Sequence, residues 1–564
     1  MKKITLKQIP ALFGGMLGVI EHKKLKYYSK RANKVQEKIL LGLIKDNKST
    51  VYGKANGFDK VKSIEDYQST VPLSVYADYE NYVQRMANGE KGLITNRLIR
   101  RFTESSGSSG NPKLVPLAGR SEWICQCFSF SAPVGCAVKY FKEQGRLIPP
   151  QRGMLTAEIG SHKLPGGKSV SCLSSIPLLN LKPIIPMFNT TPAEVMYHND
   201  PVDMDMHYAK LRFALPDKNV SYLGTIFITT LESMLFYLES NWQILCDDIE
   251  KGTIDESINM PEEIRAKLLK KLKPNPKRAQ ELREEFQKGF DASPIVPRIW
   301  PKCEWLYGMG SGSLSLYSEK LRRYIGKDIA IHYLGYAASE ALVAVPIELN
   351  SFEYVILPQN GFYEFLPVDA PDGTKPLTIK ELEVGKEYEL ILTNLSGFYR
   401  YRIEDVVKVT GYYYESPKIT FCYRLNQISN ITGEKINQLA FDETMEKFCK
   451  ETGVALNGYS LYADRSTSPG HYKLLLEPSV TVTDDDEKRF SEIFERLMCE
   501  NNVLYGIFIS NGSLGRSEVK ILKSGAYDEY RQMLSDNGKN LNQVKPVRVI
   551  DTEQKKEFFF SRIL

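Results

Sequence analysis

The stretch Thr103-Glu104-Ser105-Ser106-Gly107-Ser108-Ser109-Gly110-Asn111-Pro112-Lys113 places four hydroxyls and two glycines in six positions, with a lysine three residues later. Backbone N–H groups and serine O–H groups in such a loop can converge on an anion, and the lysine adds positive charge. The spacing is not that of a Walker A loop, whose lysine directly follows the second glycine. The same composition suits a solvated surface loop, so the stretch alone leaves both readings open. Two further polar groups accompany it. Tyr336-Ala337-Ala338-Ser339-Glu340 follows the apolar run Ile329–Tyr333 and should lie just past a strand. A carboxylate there can hold magnesium against a triphosphate, although Ser339-Glu340 could equally cap a helix. Tyr399-Arg400-Tyr401-Arg402-Ile403-Glu404-Asp405 puts a carboxylate after a strand, where it can accept from two ribose hydroxyls or serve as half of a surface ion pair.

Elements that position these groups are visible in the hydrophobic spacing. Ala32, Val35, Ile39, Leu40 and Leu43 recur at three and four, predicting an amphipathic helix over Tyr27–Asp46. A strand or turn followed by a long helix around Leu231–Leu245 is expected within Leu211–Ile249. Ile264, Leu268 and Leu272 mark another helix, ended by Pro274 and Pro276, with Lys267, Lys270, Lys271 and Lys273 on a solvated face. From Ile329 the pattern turns to β, with Tyr388–Thr393 and Phe398–Val409 alternating about a Ser396-Gly397 turn. After Arg424 a second unit begins. It has strands at Tyr472–Leu476 and Val519–Leu522, a helix capped by Thr483 that carries Phe490, Ile493, Phe494, Leu497 and Met498, and a helix near Tyr527–Leu534. The fold class is α/β.

The chain has 564 residues, 42% of them hydrophobic and 25% charged, with a net charge of +6. These values exclude a disordered, collagenous or polytopic membrane protein, and so slight a charge gives no electrostatic drive toward nucleic acid. Nine cysteines, odd in number and thinly spread, predict reduced thiols; Cys125 and Cys127 read as buried thiols rather than a metal site. Ile9–Phe13 faintly resembles a signal-peptide core, but it is short, contains Gly14-Gly15 and reaches Glu21-His22-Lys23-Lys24 without a cleavage site. No apolar run spans a bilayer. A cytoplasmic monomer without a membrane span is expected.

In this order and at these separations, the three motifs resemble those of the Gretchen-Hagen-type acyl acid amido synthetases, the auxin-responsive promoter family within the adenylate-forming superfamily. The likeness extends to Ile299-Trp300-Pro301, Ser311-Gly312-Ser313 with Tyr317, Phe362–Pro367, Glu387–Thr393, Phe421 with Arg424, and Gln543-Val544-Lys545-Pro546-Val547-Arg548. It implies a large N-terminal adenylation domain of mixed sheets and helices over residues 1–424, binding ATP and an acyl acid. A small, mobile C-terminal α/β domain would follow over 425–564. Ser105, Ser106, Gly107 and Ser108 match the phosphate-gripping loop, with Lys113 at its basic end. Tyr336, Ser339 and Glu340 match the segment lining the adenylate, the glutamate serving Mg²⁺. Asp405 matches the ribose-binding aspartate and Arg424 an arginine at the domain junction. Lys545 matches a C-terminal lysine that swings toward the nucleotide, though a lysine beside a proline is also an ordinary surface residue. The chain departs from the family where Glu404 replaces the usual Gly, a residue that would permit positive φ or close nucleotide approach.

The chemistry so implied has two steps. A carboxylate attacks the α-phosphate of ATP, and the acyl-adenylate is then opened by an amine, most simply of an amino acid, releasing AMP. An α-amino group has a reference pKa of about 8, so the second step needs a base. No base is evident among the six histidines, and His332 reads equally as a packed strand residue. The alternatives are a thioester-forming acyl-CoA or acyl-carrier ligase and a degenerate nucleotide-binding member.

Overall fold

Two helices occupy the first fifty residues where the spacing predicts one. Helix α1 (Ile9–Ser29) and the helix Ala32–Asn47 are broken at Lys30-Arg31. Arg31 leaves helical torsion angles, and the Ser29 carbonyl accepts from Glu415 N at 2.9 Å. The second helix is centred on buried Gln36, whose amide donates to the carbonyls of Pro358 (2.8 Å) and Gly361 (2.6 Å) and accepts from Tyr363 N (2.8 Å). A polar residue thus occupies the middle of an apolar stripe because its bonding capacity is filled.

The structure is a computed structural model that describes residues 9–104, 113–148, 152–157, 159–198, 204–310, 315–368, 370–371, 373–425, 427–480, 482–536 and 547–564. The chain divides into a larger unit that runs to Leu425 and a smaller one built on Asn426–Leu564.

Three sheets form the larger unit. The first pairs β1 (Ile99–Glu104) with β2 (Leu114–Ala118) and with Ser169–Ser171. The second is parallel, in the order Gly153–Leu155, Tyr222–Phe227, Trp305–Met309 and β3 (Ala330–Tyr333). Helix Ile228–Lys251 follows Phe227 directly, and helix α2 (Ala132–Glu143) packs on α1. The third sheet is antiparallel and eight-stranded. Its order is Leu377–Thr378, Gly361–Pro367, β6 (Glu387–Asn394), β7 (Tyr401–Tyr413), β8 (Ser416–Arg424), Tyr354–Ile356, β5 (Ala341–Val345) and β4 (Tyr336–Ala338). Strand β6 is buried on both faces instead of alternating. Its buried Glu389 is held by Arg402, whose Nε and Nη2 donate to the carboxylate at 2.8 and 2.7 Å.

In the smaller unit Leu456–Asp464 pairs antiparallel with His471–Pro478, which pairs parallel with Gly515–Ile521. Thr483 and Asp486 form a capping box at the head of helix Asp484–Asn501. Among the described residues no helix is long and apolar enough to cross a membrane, and none of the nine cysteines is disulfide-bonded.

Candidate active site

The turn carrying Glu340 is set by strand register. Strands β4 and β5 are antiparallel with Ala338 opposite Ala341, so Ser339 and Glu340 form a two-residue turn between strands and cap no helix. The turn is stitched to the end of β1. Thr103 Oγ1 donates to the Ser339 carbonyl at 2.6 Å, and Ser339 Oγ donates to the Glu104 carbonyl at 3.2 Å. Glu104 pairs with Leu114 across β1 and β2, so both ends of the hydroxyl- and glycine-rich segment are anchored beside the Glu340 turn. The Lys113 ammonium stands 5.5 Å from the Tyr76 ring centre, and Tyr76 hydroxyl donates to Leu114 O at 3.1 Å.

Asp405 is supplied by β7, opposite Arg424 on β8. Its buried carboxylate accepts from Tyr336 hydroxyl at 2.6 Å and from Arg424 Nε at 2.6 Å. Burial and then the Asp405 charge raise the Tyr336 phenol well above its ordinary value, so it stays a neutral donor. Burial pulls the Arg424 guanidinium down, but the charge and hydrogen bond of Asp405 outweigh it and the net shift is upward. Each carboxylate oxygen can accept more than one hydrogen bond, so these donors orient Asp405 without exhausting it.

A bulge aims this carboxylate. Arg402 pairs with Ile391 and Val406 with Glu389, so β7 spends two more residues than β6 between these pairs. Inside the bulge Glu404 has φ +66°, and its carbonyl accepts from Leu425 N at 2.7 Å. The left-handed conformation that glycine would supply is therefore adopted by a glutamate, at a steric cost of roughly 1–2 kcal/mol. Glu404 is half-buried, and its charge is felt by Tyr401.

Three further residues, to which the motifs gave no role, belong to the site. Tyr401, buried, hydrogen-bonds Glu340; burial, then the charge and hydrogen bond of Glu340, raise its phenol well above the ordinary value. Asn394 Oδ1 accepts from Ser396 N (2.9 Å), Gly397 N (2.9 Å) and Phe398 N (3.0 Å), while its Nδ2 donates to the Glu340 carbonyl at 3.1 Å. One amide thus fixes both the β6–β7 loop and the Glu340 turn. Asn before Ser-Gly is an Asx-turn signal, which could have revealed the loop but not the contact across to Glu340. Tyr76 lies near enough for the charge of Glu340 to be felt at its phenol.

The structure therefore gathers Tyr336, Ser339, Glu340, Asp405 and Arg424, and it anchors Lys113 at the adjoining hairpin. Ser105, Ser106, Gly107, Ser108, Ser311–Ser313 and Lys545 lie outside the described residues. His332 is a buried strand residue with neither ring nitrogen hydrogen-bonded, and burial holds its pKa at about 3. Among the described residues no group of three or more His, Cys, Asp and Glu could hold a metal ion. Glu340 offers hard oxygen ligands of the kind Mg²⁺ accepts when substrate phosphates and water complete its shell.

The larger, mixed α/β unit carries the gathered carboxylates, and a smaller α/β unit follows it along the chain. Solved structures similar to this chain include the GH3.15 acyl acid amido synthetase, at 23% identity over 96% of this chain and 95% of that one, with a TM-score of 0.62. Another is 2-hydroxyisobutyryl-CoA ligase, at 13% identity over 92% and 89%, with a TM-score of 0.52. The chain belongs to the GH3 family: models of its N-terminal, central and C-terminal domains match residues 21–330, 354–424 and 440–554. Its relatives include the indole-3-acetic acid-amido synthetase GH3.8 of Oryza sativa subsp. indica, 28% identical over 94% of this chain and 90% of that protein. The jasmonoyl–L-amino acid synthetase GH3.5 of Oryza sativa subsp. japonica is 26% identical over 93% of each.

Proposed function

We propose that this chain is an ATP-dependent acyl acid amido synthetase, which adenylates a carboxylic acid and passes the acyl group to an amine, an amino acid, with release of pyrophosphate and AMP. The observation that carries the reading is Asp405, clamped by Tyr336 and Arg424 beside the Glu340 turn. In it Asp405 takes the ribose hydroxyls and Arg424 and Tyr336 keep that carboxylate oriented. Ser105, Ser106, Gly107, Ser108 and Lys113 bind the phosphates from the segment between β1 and β2, and Ser339 pins the turn to β1. Glu340 is the residue that would hold Mg²⁺; when bound, the cation neutralises charge on the phosphates. The acid's carboxylate oxygen attacks the α-phosphorus, the bond to pyrophosphate breaks, and the amine nitrogen then displaces AMP from the acyl carbon. Residues 1–424 act as the ATP- and acid-binding domain. Residues 425–564 act as the mobile domain bringing Lys545, and the end of β8 at Arg424 supports placing the junction there. Nine unbridged cysteines support a reducing, cytoplasmic setting. The working form is a monomer without nucleic acid.

A panel of acids assayed for pyrophosphate exchange, then for amides with the twenty amino acids, tests the reading. Acid-dependent exchange followed by an amide supports it. Rapid thioester formation with coenzyme A and no amide would replace it with a ligase, and nucleotide binding without exchange would leave a degenerate member.

A further inference from the structure

The outer face of α1 joins exposed apolar residues to a run of cations. Its inner face is docked tightly: a Cβ on Gly15 would come within 2.5 Å of Val138, and one on Gly135 of α2 within 2.8 Å of Gly18 Cα. Leu25 and Ser29 continue the buried side. The helix is therefore held in one rotation, which turns Met16, Leu17, Val19 and Ile20 outward at 57, 38, 37 and 39% exposure. Exposed Lys23, Lys24, Lys26, Lys30 and Arg31 follow in the same stretch, against one acidic residue, Glu21, which is buried and paired with Lys24 at 2.7 Å.

Aromatic rings sit within the basic part. Arg31 lies 4.5 Å from the exposed Tyr27 ring. Lys26 and Lys30 lie 5.7 and 5.2 Å from the ring of Tyr414, which is exposed on the β7–β8 turn. Ile20, Lys23, Lys24, Tyr27 and Tyr28 line an open groove. The sequence before the helix adds Lys2, Lys3 and Lys7, and residues 1–20 contain no acid.

We propose that this face of α1, with Tyr414, binds the surface of an anionic lipid bilayer, lying in the interface without crossing it. An apolar patch beside a lysine cluster that includes exposed tyrosines matches what such a surface offers: an acyl boundary, a headgroup level and phosphate charge. Charge selects the occupant. A second copy of the chain docked on this face would bring two sets of five cations together, whereas anionic headgroups neutralise them. The proposal stands whatever reaction the chain catalyses.

The test is co-sedimentation of the full chain with vesicles of phosphatidylcholine alone and of phosphatidylcholine with phosphatidylglycerol. Binding is expected only to the anionic vesicles and should weaken as salt rises. Lys23→Gln and Lys26→Gln should each lower the partition coefficient about fivefold, near 1 kcal/mol per surface cation. Leu17→Ser with Ile20→Ser should abolish it, with pyrophosphate exchange in vesicle-free buffer unchanged. Thermal melts of the lysine variants, whose side chains are exposed, confirm that the fold is intact. No binding at low salt, or equal binding by wild type and both lysine variants, overturns the proposal. So does a dimer in sedimentation velocity that is lost in the Leu17/Ile20 variant and replaces vesicle binding.

Discussion

Replacing Asp405 with Asn keeps the shape of the side chain and removes its charge. The carboxylate is buried and accepts from Tyr336 and Arg424 at 2.6 Å each. An Asn has one acceptor oxygen; with it facing Arg424, its Nδ2 faces Tyr336, whose hydroxyl must turn from donor to acceptor, and both bonds lose the carboxylate charge. A hydrogen bond to a charged group is worth about 1.5–3 kcal/mol, which sets the scale for each interaction removed. If the same carboxylate receives the ribose hydroxyls, ATP should bind about ten- to hundredfold more weakly, since every 1.4 kcal/mol is tenfold. Loss of the clamp alone would also lower affinity, so the decisive assay compares ATP with 2′,3′-dideoxy-ATP. Wild type should favour ATP by about that same factor, and Asp405→Asn should bring the two nucleotides to within about threefold. A variant that weakens both nucleotides equally while keeping the wild-type preference would refute the ribose assignment and leave Asp405 a structural ion pair.

Four further outcomes follow from named contacts. Glu340→Gln should lose most acid-dependent pyrophosphate release while its melting temperature stays close to wild type, because the lost charge acts on the reacting phosphates; near-normal release would remove Glu340 from the metal role. Glu404→Gly relieves a φ of +66°, and against glycine's greater unfolded-state entropy the net should be about 0–1 kcal/mol of added stability, read by urea denaturation, with ATP affinity unchanged or improved. Asn394→Ala leaves three backbone N–H groups and the Glu340 carbonyl without partners; at about 1 kcal/mol or more each, it should cost about 3 kcal/mol or more in urea unfolding and reduce turnover as well. Burial lowers the pKa of His332 to about 3 and of His22 to about 4, below the unfolded 6.5. The unfolded chain therefore binds more protons below pH 6.5, and these groups erode stability as pH falls toward 4. Replacing His332 with Leu should narrow the stability gap between pH 7.5 and pH 5; an unchanged gap would mean His332 does not titrate differently on unfolding.

The motifs of this site were legible, but their places on the strands were not: Asp405, expected after a strand, lies inside β7. The apolar run before Tyr336 marked β3, but Glu340 lies in the turn beyond a second strand, β4, which belongs to another sheet. The pairing of Asp405 with Arg424 was not legible, since it depends on the register of β7 against β8 and on a bulge of two residues. Glu404 illustrates the difference: its position at a customary glycine pointed to positive φ, but only the fold shows that the backbone keeps φ +66° with a side chain in place. Asn394 and Gln36 were invisible because each is a lone polar residue whose meaning lies in backbone partners far along the chain. Break points suffered likewise, as the single helix expected over Tyr27–Asp46 is divided by a hydrogen bond from Glu415.

The most direct measurement of the central claim is a single-turnover experiment on the full chain. Enzyme, ATP and the acid most active in exchange are mixed, and then an equimolar mixture of amino acids or coenzyme A is added, with products resolved by mass spectrometry. The expected result is an acyl-adenylate first, then an amide with stoichiometric AMP, and little thioester. Prompt conversion of the adenylate to a thioester, with no amide from any amino acid, would contradict it.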